Sequence, residues 1–432
     1  MRLGGRISAA IEVLDEMRNR NRPASDALRD WGNAHRFAGS GDRNAIGNLV
    51  YDSLRQYASS AWLMDDEEPS SVVFATLARQ WGMELADITR ELDGDKFAPE
   101  IPAARLEAMT GRDFTYAPAH DEADVPEWCM EHFQENFGDD WVKEAKALAD
   151  RAPLDLRVNS LKAEVSKVLK ALSREKAKKS PISLNGIRIN PGRGDSRMPN
   201  VQADAAFQKG WFEVQDEGSQ IAAELVFARE GEQILDFCAG AGGKTLALAA
   251  LMNNKGQIHA HDADRHRLAP IHERLKRAGT RNVQVHDPRE GLNALAGKMD
   301  RVLVDAPCSG SGTWRRKPDA KWRLTPDTLE MRMNEQKSVL DEAMKYVRPG
   351  GFLCYVTCSV FPCENEEQIY AFGERHNKDG GRWDLLSAGG AWEELYGYEK
   401  PKPWSADMDC ITLSPASTGT DGFFFAVLQR LA

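Results

Sequence analysis

Two cysteines stand where the ends of strands deliver side chains to an active site. One belongs to the run Asp305-Ala-Pro-Cys308-Ser-Gly-Ser-Gly312, directly after the apolar stretch 301–305; the other belongs to Tyr355-Val-Thr-Cys358-Ser359, at the end of the apolar stretch 352–356. Open α/β sheets hold ligands outside the carboxyl ends of their strands, so two thiols from side-by-side strands would face one cleft. A lone strand cysteine is ordinarily a small core hydrophobe. Two at strand ends, one with an acid three residues before it, ask for chemistry. A thiolate is a nucleophile, and Asp305 supplies an acid beside it, a set that suits covalent catalysis. Methylation of a pyrimidine carbon needs such a set. Carbon 5 of cytosine is a poor nucleophile until a thiolate adds at carbon 6 and makes it enamine-like. Hydrogen bonding or protonation at ring nitrogen 3 eases that addition, and the carbon 5 proton must later leave so that the sulfur can depart.

The stretch 233–238 is apolar and runs into Ala239-Gly-Ala-Gly-Gly-Lys-Thr245 before a helical pattern begins. Glycines 240, 242 and 243 permit a tight turn and let a ligand approach backbone N–H groups at a helix start. The spacing is neither the G-x-G-x-x-G of dinucleotide enzymes nor the G-x-x-x-x-G-K-[ST] of phosphate loops. Asp262 ends the next apolar stretch, where a carboxylate can accept both ribose hydroxyls. Asp287 follows the stretch after that, placed for an adenine amine. The candidate pocket for an adenosine-bearing cofactor is therefore Cys238, Ala239, Gly240, Ala241, Gly242, Gly243 and Lys244 with Asp262 and Asp287.

Directly after the Pro-Cys run comes Trp314-Arg-Arg-Lys-Pro-Asp-Ala-Lys-Trp-Arg323, with five cations and two tryptophans against one acid. Arg315, Arg316, Lys317, Lys321 and Arg323 suit phosphate contact, and the tryptophans suit base stacking, close to a reacting nucleotide. The competing reading is a loop anchored in a core by its tryptophans. A target base must be unstacked or single-stranded to reach a thiol in a pocket. The net charge of −10 argues against a polyanionic partner until the chain is divided. Residues 61–150 hold 7 Lys and Arg against 22 Asp and Glu, whereas 151–215 hold 13 against 6. Local potential, screened beyond about 8–10 Å, governs phosphate binding, so the basic block is a second candidate RNA surface.

These residues need a scaffold. From about residue 216 onward, strands are expected over 233–238, 256–262, 283–286, 301–305 and 352–356, with helices over 244–252, 265–278, 326–347 and 366–376. That alternation predicts an α/β domain, 216–432, built on a parallel sheet covered on both faces. Ahead of it, 126–215 reads as a bridging helix and a small basic α+β module. Its strands fall near 154–158 and 187–189, and its helix has Val165, Val168, Leu169 and Leu172 on one face. Residues 1–125 read as an all-α domain, acidic in its second half, with Ile7, Ala10, Ile11 and Leu14, then Ile46, Leu49, Val50, Leu54 and Tyr57, at helical spacing. No apolar run could span a bilayer, and the N-terminus lacks a signal-peptide core, so a cytoplasmic protein with no membrane partner is expected. Seven unevenly spaced cysteines fit a reducing compartment rather than a disulfide framework. Cys354, Cys358 and Cys363 lack the C-x-x-C spacing of zinc sites, so no metal is expected. A monomer is the default reading.

Asp236-Phe-Cys-Ala-Gly-Ala-Gly-Gly-Lys-Thr245, Asp305-Ala-Pro-Cys-Ser-Gly-Ser-Gly312 and Thr357-Cys-Ser359 followed by Glu364-Asn-Glu366 resemble the signature motifs of the Nop/Sun family of RNA cytosine-5 methyltransferases. Leu156-Arg-Val-Asn159, Val214-Gln-Asp-Glu-Gly-Ser219 and Thr420-Asp-Gly-Phe-Phe424 resemble further blocks, so the likeness covers about 126–432. The resemblance implies a Rossmann-like methyltransferase sheet with S-adenosylmethionine in the glycine-lined pocket. It implies Cys358 as nucleophile, Cys308 as the residue that assists product release, and Asp305 against the target cytosine and beside the cofactor, as a further cofactor-binding residue. It also implies RNA rather than DNA, because DNA cytosine-5 enzymes use the Pro-Cys thiol as nucleophile. Asp42-Arg-Asn-Ala-Ile-Gly-Asn-Leu-Val-Tyr51 and Ser53-Leu-Arg55 are similar to the NusB-like domain of the RsmB/Sun type, which implies 16S ribosomal RNA ahead of transfer RNA. Ala241 stands where the family has a proline, and Cys363 where it has a glutamate. Two other classes compete. A non-catalytic ribosome-assembly protein would leave the intact motifs idle, and a dinucleotide oxidoreductase would give the paired cysteines nothing to do.

Overall fold

A computed structural model describes residues 1–378, 382–405 and 407–431, and the chain divides into two compact units. Met1–Ala152, Pro191–Met198 and Thr313–Leu324 form the first, which is helical. Its central helices are Leu3–Arg20, Ser40–Arg55 and Pro69–Arg79, and their apolar stripes meet in a core that includes Ile7, Val13, Leu14, Ile46, Leu49, Val50, Val73 and Phe74. Recurrence at i, i+3 and i+4 puts those side chains on one face. The two excursions are stitched to Ser40–Arg55. Asn48 donates to the carbonyls of Gly194 and Ser196 at 3.1 and 2.9 Å, and the Trp322 indole donates to the Leu54 carbonyl at 2.7 Å. The bridging segment from residue 126 to 152 lies in this unit. Phe133 and Phe137 are buried there, and the Phe133 ring centroid is 5.9 Å from that of Trp314.

Pro153–Asn190, Pro199–Gly312 and Thr325–Ala432 form the second unit. Its smaller sheet contains β1 (Leu154–Val158), β2 (Lys178–Lys179), β3 (Gly186–Ile189) and β4 (Phe212–Val214), antiparallel in the order β2-β3-β1-β4. The helix Val165–Ala171 accompanies it with Val168 buried, as its spacing predicts.

The larger sheet contains β5 (Gln233–Asp236), β6 (Gln257–Ala260), β7 (Val283–Val285), β8 (Met299–Asp305), β9 (Val347–Thr357), β10 (Trp383–Leu386), β11 (Ile411–Leu413) and β12 (Phe423–Arg430). Their order is β10-β12-β9-β8-β5-β6-β7, with β11 beside β12. Strands β5 to β9 pair in parallel. Strand β12 departs from the all-parallel expectation, being antiparallel to β9, β10 and β11. It follows β11 through a short turn over 414–422, and only an antiparallel neighbour can be reached without a crossover. This is a Rossmann-like sheet. Ile234, Leu303, Cys354, Val356, Phe423 and Phe425 face one layer, and Leu235, Val302, Val304, Leu353, Tyr355 and Phe424 the other. Alternation with both sides apolar is why these strands read as continuous apolar runs, since helices cover both faces. The helical pattern over 265–278 is two helices, Arg265–Leu268 and Ile271–Ala278, parted at Pro270.

From β5 the chain builds β6 and β7 on one side and returns to β8 on the other. The carboxyl ends of β5 and β8 therefore flank the point where sheets of this kind bind ligands. Among the described residues no helix is long and apolar enough to cross a membrane.

Candidate active site

Asp305 ends β8, Cys308 lies three residues beyond it, and Cys358 follows the last residue of β9. Asp305 pairs with Val356, so the strand tips are adjacent and the two sulfurs lie 3.4 Å apart. Both cysteines are free and half-buried. Their loops are held from several sides. The Gly312 N–H donates to the Cys358 carbonyl at 3.0 Å, and the Gly422 N–H donates to the Gly312 carbonyl at 2.7 Å. A Cβ on Gly312 would stand 2.2 Å from the Gly422 carbonyl oxygen, so only glycine lets these backbones meet. Buried Glu364 accepts from the Ser309 N–H at 2.7 Å and from Gln336 Nε2 at 2.9 Å, while Gln336 also donates to the Pro307 carbonyl. Thr357 Oγ1 donates to Asn365 Oδ1 at 2.6 Å, and Asn365 Nδ2 to the Ser359 carbonyl at 3.1 Å. Glu364 and Asn365 thus position the two cysteine loops. Hydrogen bonding to Cys358, and then burial, push the Cys308 thiol well up. The upward push favours the protonated form of Cys308, and either sulfur can donate in the contact between them.

In the loop after β5, Gly240 and Gly242 are left-handed at φ +50° and +82°. A Cβ on Gly242 would also meet Ile271 at 2.5 Å. The Gly242 N–H donates to the Ala239 carbonyl at 2.8 Å, and the helix Gly243–Leu251 begins at once. Ala241 lacks the fixed φ of proline, and Arg274, anchored on Glu213, holds its carbonyl at 2.8 Å instead. Asp262 accepts from the Gly240 and Asp264 N–H groups at 2.8 and 2.9 Å. Its carboxylate stands on the wall of a cavity of about 860 Å³ that Arg267, Pro307 and Val339 also line. That volume lies within the range of ~300–1,000 Å³ usual for small-molecule sites. Glycine turn, helix start and rim carboxylate fit an adenosine-bearing ligand. Burial, and then the charges of Asp305, Asp262 and Asp236, push the Cys238 thiol far up, so this cysteine stays inert. Asp287 engages Arg289 at 2.6 Å on the loop after β7, and hydrogen bonds from Arg289 hold its carboxyl well below the usual carboxylate range.

Lys244 lies in the first turn of the helix Gly243–Leu251. It donates to Asp305 Oδ2 at 2.7 Å and so holds the acid at the tip of β8. Asp236 was missed as a site residue. It is buried beneath the loop, its Oδ2 accepts from the Thr245 hydroxyl at 2.6 Å, and its Oδ1 has no partner among the described residues. Burial pushes its carboxyl up to about 7. An acid ending a buried strand, with a threonine in the first turns of the next helix, was the available signal. Cys363 is buried, and no role for its thiol follows from its surroundings. Among the described residues no three His, Cys, Asp or Glu side chains are grouped to hold a metal.

The cations of 314–323 part company. Trp314, Arg315 and Lys321 are buried in the helical unit. Lys321 donates to the Arg55 carbonyl at 3.0 Å, and burial pulls its ammonium down to about 8. This corrects the reading of Lys321 as an RNA contact: its charge is used inside a core, and Trp314 is an anchor. Arg323 pairs with Asp319 at 3.1 Å, Arg316 is half-buried and Lys317 is exposed.

Residues 223–429 match the family model of the 16S rRNA methyltransferase RsmB/F, and 125–193 match that of the RsmF/B-like ferredoxin-like domain. A probable ribosomal RNA small subunit methyltransferase B of Synechocystis sp. is 32% identical over 312 residues, 71% of this chain and 66% of that protein. Its counterpart in Bacillus subtilis is 30% identical over 315 residues, 72% of this chain and 67% of that one. The chain thus spans about two thirds of the length of the curated relatives it matches. The crystal structure of PH0851 superimposes with a TM-score of 0.73 over 100% of both chains at 24% identity, which shows a shared fold. With these matches covering the sheet that carries the glycine loop, Asp305 and both cysteine loops, the chain belongs to the RsmB/F methyltransferase family.

Proposed function

We propose that the protein transfers a methyl group from S-adenosylmethionine to carbon 5 of a cytosine in 16S ribosomal RNA, through a covalent bond between Cys358 and carbon 6. The observation that carries this reading is the pair of sulfurs 3.4 Å apart at the tips of β8 and β9, beside Asp305. S-adenosylmethionine, when bound, supplies an electrophilic methyl group. Asp262 would hold its ribose, Asp287 its adenine amine, and the backbone of 239–243 its amino-acid end. Cys358 Sγ adds to carbon 6, which breaks the ring's aromaticity and makes carbon 5 nucleophilic. Asp305, steadied by Lys244 and a third exposed, accepts from the cytosine amino group and fixes the ring edge. After methyl transfer a solvent water takes the carbon 5 proton, the electrons of that C–H bond restore the double bond between carbons 5 and 6, and the bond from carbon 6 to sulfur breaks to return the Cys358 thiolate. Cys308, whose protonated form is favoured, hydrogen-bonds the departing sulfur. The Synechocystis and Bacillus relatives are described as ribosomal RNA small subunit methyltransferases, which supports ribosomal over transfer RNA.

The test is direct. Small-subunit RNA incubated with the protein and labelled cofactor should yield 5-methylcytidine by nucleoside mass spectrometry, and Cys358→Ala should yield none. Carbon 5 methylation by that variant would remove Cys358 as nucleophile. Cys308→Ala should accumulate a protein–RNA adduct that survives denaturing electrophoresis, and its absence would count against the release role.

A further inference from the structure

The chain has seven cysteines, and the structure sets two of them apart. Cys129, Cys354, Cys363 and Cys410 are buried. Burial pushes the Cys354 thiol up to about 12, and it pushes the thiols of Cys129 and Cys410 up as well. The thiolate is the reactive form of cysteine, so these three thiols are inert. Cys238 is half-buried, and its thiol is pushed far up by burial and then by Asp305. Cys308 and Cys358 are half-buried too, but their sulfurs touch at 3.4 Å. A disulfide bond is about 2 Å long, so a small change of side-chain torsion closes the gap. The backbone around them is held in place. The Ser309 N–H is bound by Glu364, the Ser359 carbonyl by Asn365, and the Cys358 carbonyl by the Gly312 N–H. In such a frame one sulfur, once oxidised, is captured by the other.

We propose that Cys308 and Cys358 form a site of reversible oxidation, at which a peroxide joins the two sulfurs and stops methylation. The inference rests on the reading of Cys358 as the methylation nucleophile and adds a control on that same sulfur. The Cys358 thiolate attacks one oxygen of hydrogen peroxide. A sulfur–oxygen bond forms, the oxygen–oxygen bond breaks, and hydroxide leaves and takes a proton from solvent. Cys358 is then a sulfenic acid. The Cys308 sulfur attacks it, so that a sulfur–sulfur bond forms and the sulfur–oxygen bond breaks. The departing hydroxide carries off the Cys308 proton as water. The two sulfurs have together lost two electrons, and the two peroxide oxygens have gained them. A sulfur bound in a disulfide cannot add to carbon 6, so transfer stops. A dithiol in solution reverses the bond by exchange.

The reduced full chain, treated with hydrogen peroxide, alkylated and digested, tests this by peptide mass spectrometry. A linked peptide joining Cys308 to Cys358 is expected, with a loss of 5-methylcytidine formation that dithiothreitol restores. The oxidised chain should keep its calorimetric affinity for S-adenosylmethionine, because the change is confined to two side chains. Cys308→Ser removes the capturing sulfur. In that variant Cys358 should go on to the sulfinic or sulfonic acid, read by mass and independently of turnover. Separate oxidation of Cys308 and Cys358 in the wild type, with no linked peptide, would overturn the site. A link from either one to Cys238 or Cys363 would overturn it too. Overoxidation of Cys358 at the same rate in the wild type and in Cys308→Ser would remove the capture step. A chain that forms the disulfide but methylates no RNA when reduced would leave the oxidation site standing and defeat the proposed function, so the two failures are distinguishable.

Discussion

Asp305 and Asp52 are both clamped by cations, yet the two clamps face opposite ways. At the carboxyl end of β8 the cation is inside, with the Lys244 side chain 7% exposed and that of Asp305 33%. In the helical unit the acid is inside, with Asp52 1% exposed against 12% for Arg55 and 19% for Arg151. The outward group decides what each clamp can meet. An outward carboxylate offers acceptors to what reaches it, whereas the guanidiniums around Asp52 spend donors on that acid and on backbone carbonyls. Turning such a pairing over changes which sign of charge meets the solvent.

This comparison can be broken from either side. The largest effect is expected at the catalytic clamp. Asp305→Asn should lower kcat/KM for RNA methylation by ~10²–10⁴-fold, measured as 5-methylcytidine formed per minute. An undiminished rate would mean that the outward acid contributes nothing. Asp52→Asn comes next. Arg55 and Arg151 would lose their shared counter-ion inside the unit, at about 3–5 kcal/mol, read as an earlier urea-unfolding transition of the helical signal. A transition at the wild-type midpoint would show that the two arginines do not need the buried acid.

Asp236 sharpens the contrast because it is a buried carboxyl that no cation clamps. Burial raises it from 3.8 to about 7 in the folded chain. The folded state therefore holds a proton that the unfolded state has released, so stability declines as pH rises from about 4 to about 7. Asp236→Asn should flatten that decline by up to about 1.4 kcal/mol per pH unit in urea titrations. A slope equal to the wild type would show that Asp236 ionises freely. The smallest effect belongs to Arg323→Ala. Its pair with Asp319 is partly exposed, and its loss should cost no more than about 1 kcal/mol in the same assay.

Much of the catalytic cleft is legible in the chain because its signals are short-range. The cysteine runs, the glycine turn and the acids that end strands lie within a few residues of the element that aims them. Strand pairing between β8 and β9 needs only the rule that consecutive βα units lie side by side. The break at Pro270 is a local signal as well, although the pattern over 265–278 reads as one helix. The failures are long-range. Lys321 reads as a surface cation because its neighbours are cations, yet it is the Trp314 and Trp322 anchors that carry the segment into a helical core. Lys244 belongs to the glycine loop by sequence and to Asp305 by contact, 2.7 Å away. Glu364 reads as part of a motif, and only the folded chain shows it fastening the Ser309 loop.

By itself the sequence determined which chemistry is available: two thiols, the acids and the glycine turn, each tied to the tip of one strand by local hydrophobic periodicity and turn stereochemistry. The tertiary structure alone decided which charges face a ligand. That choice depends on burial and on partners far apart in the chain, such as Asp52 and Arg151, whose meeting no local pattern encodes. Electrostatic strength rises steeply as water is excluded, so the same residue types become a core fastening in one place and a ligand contact in another.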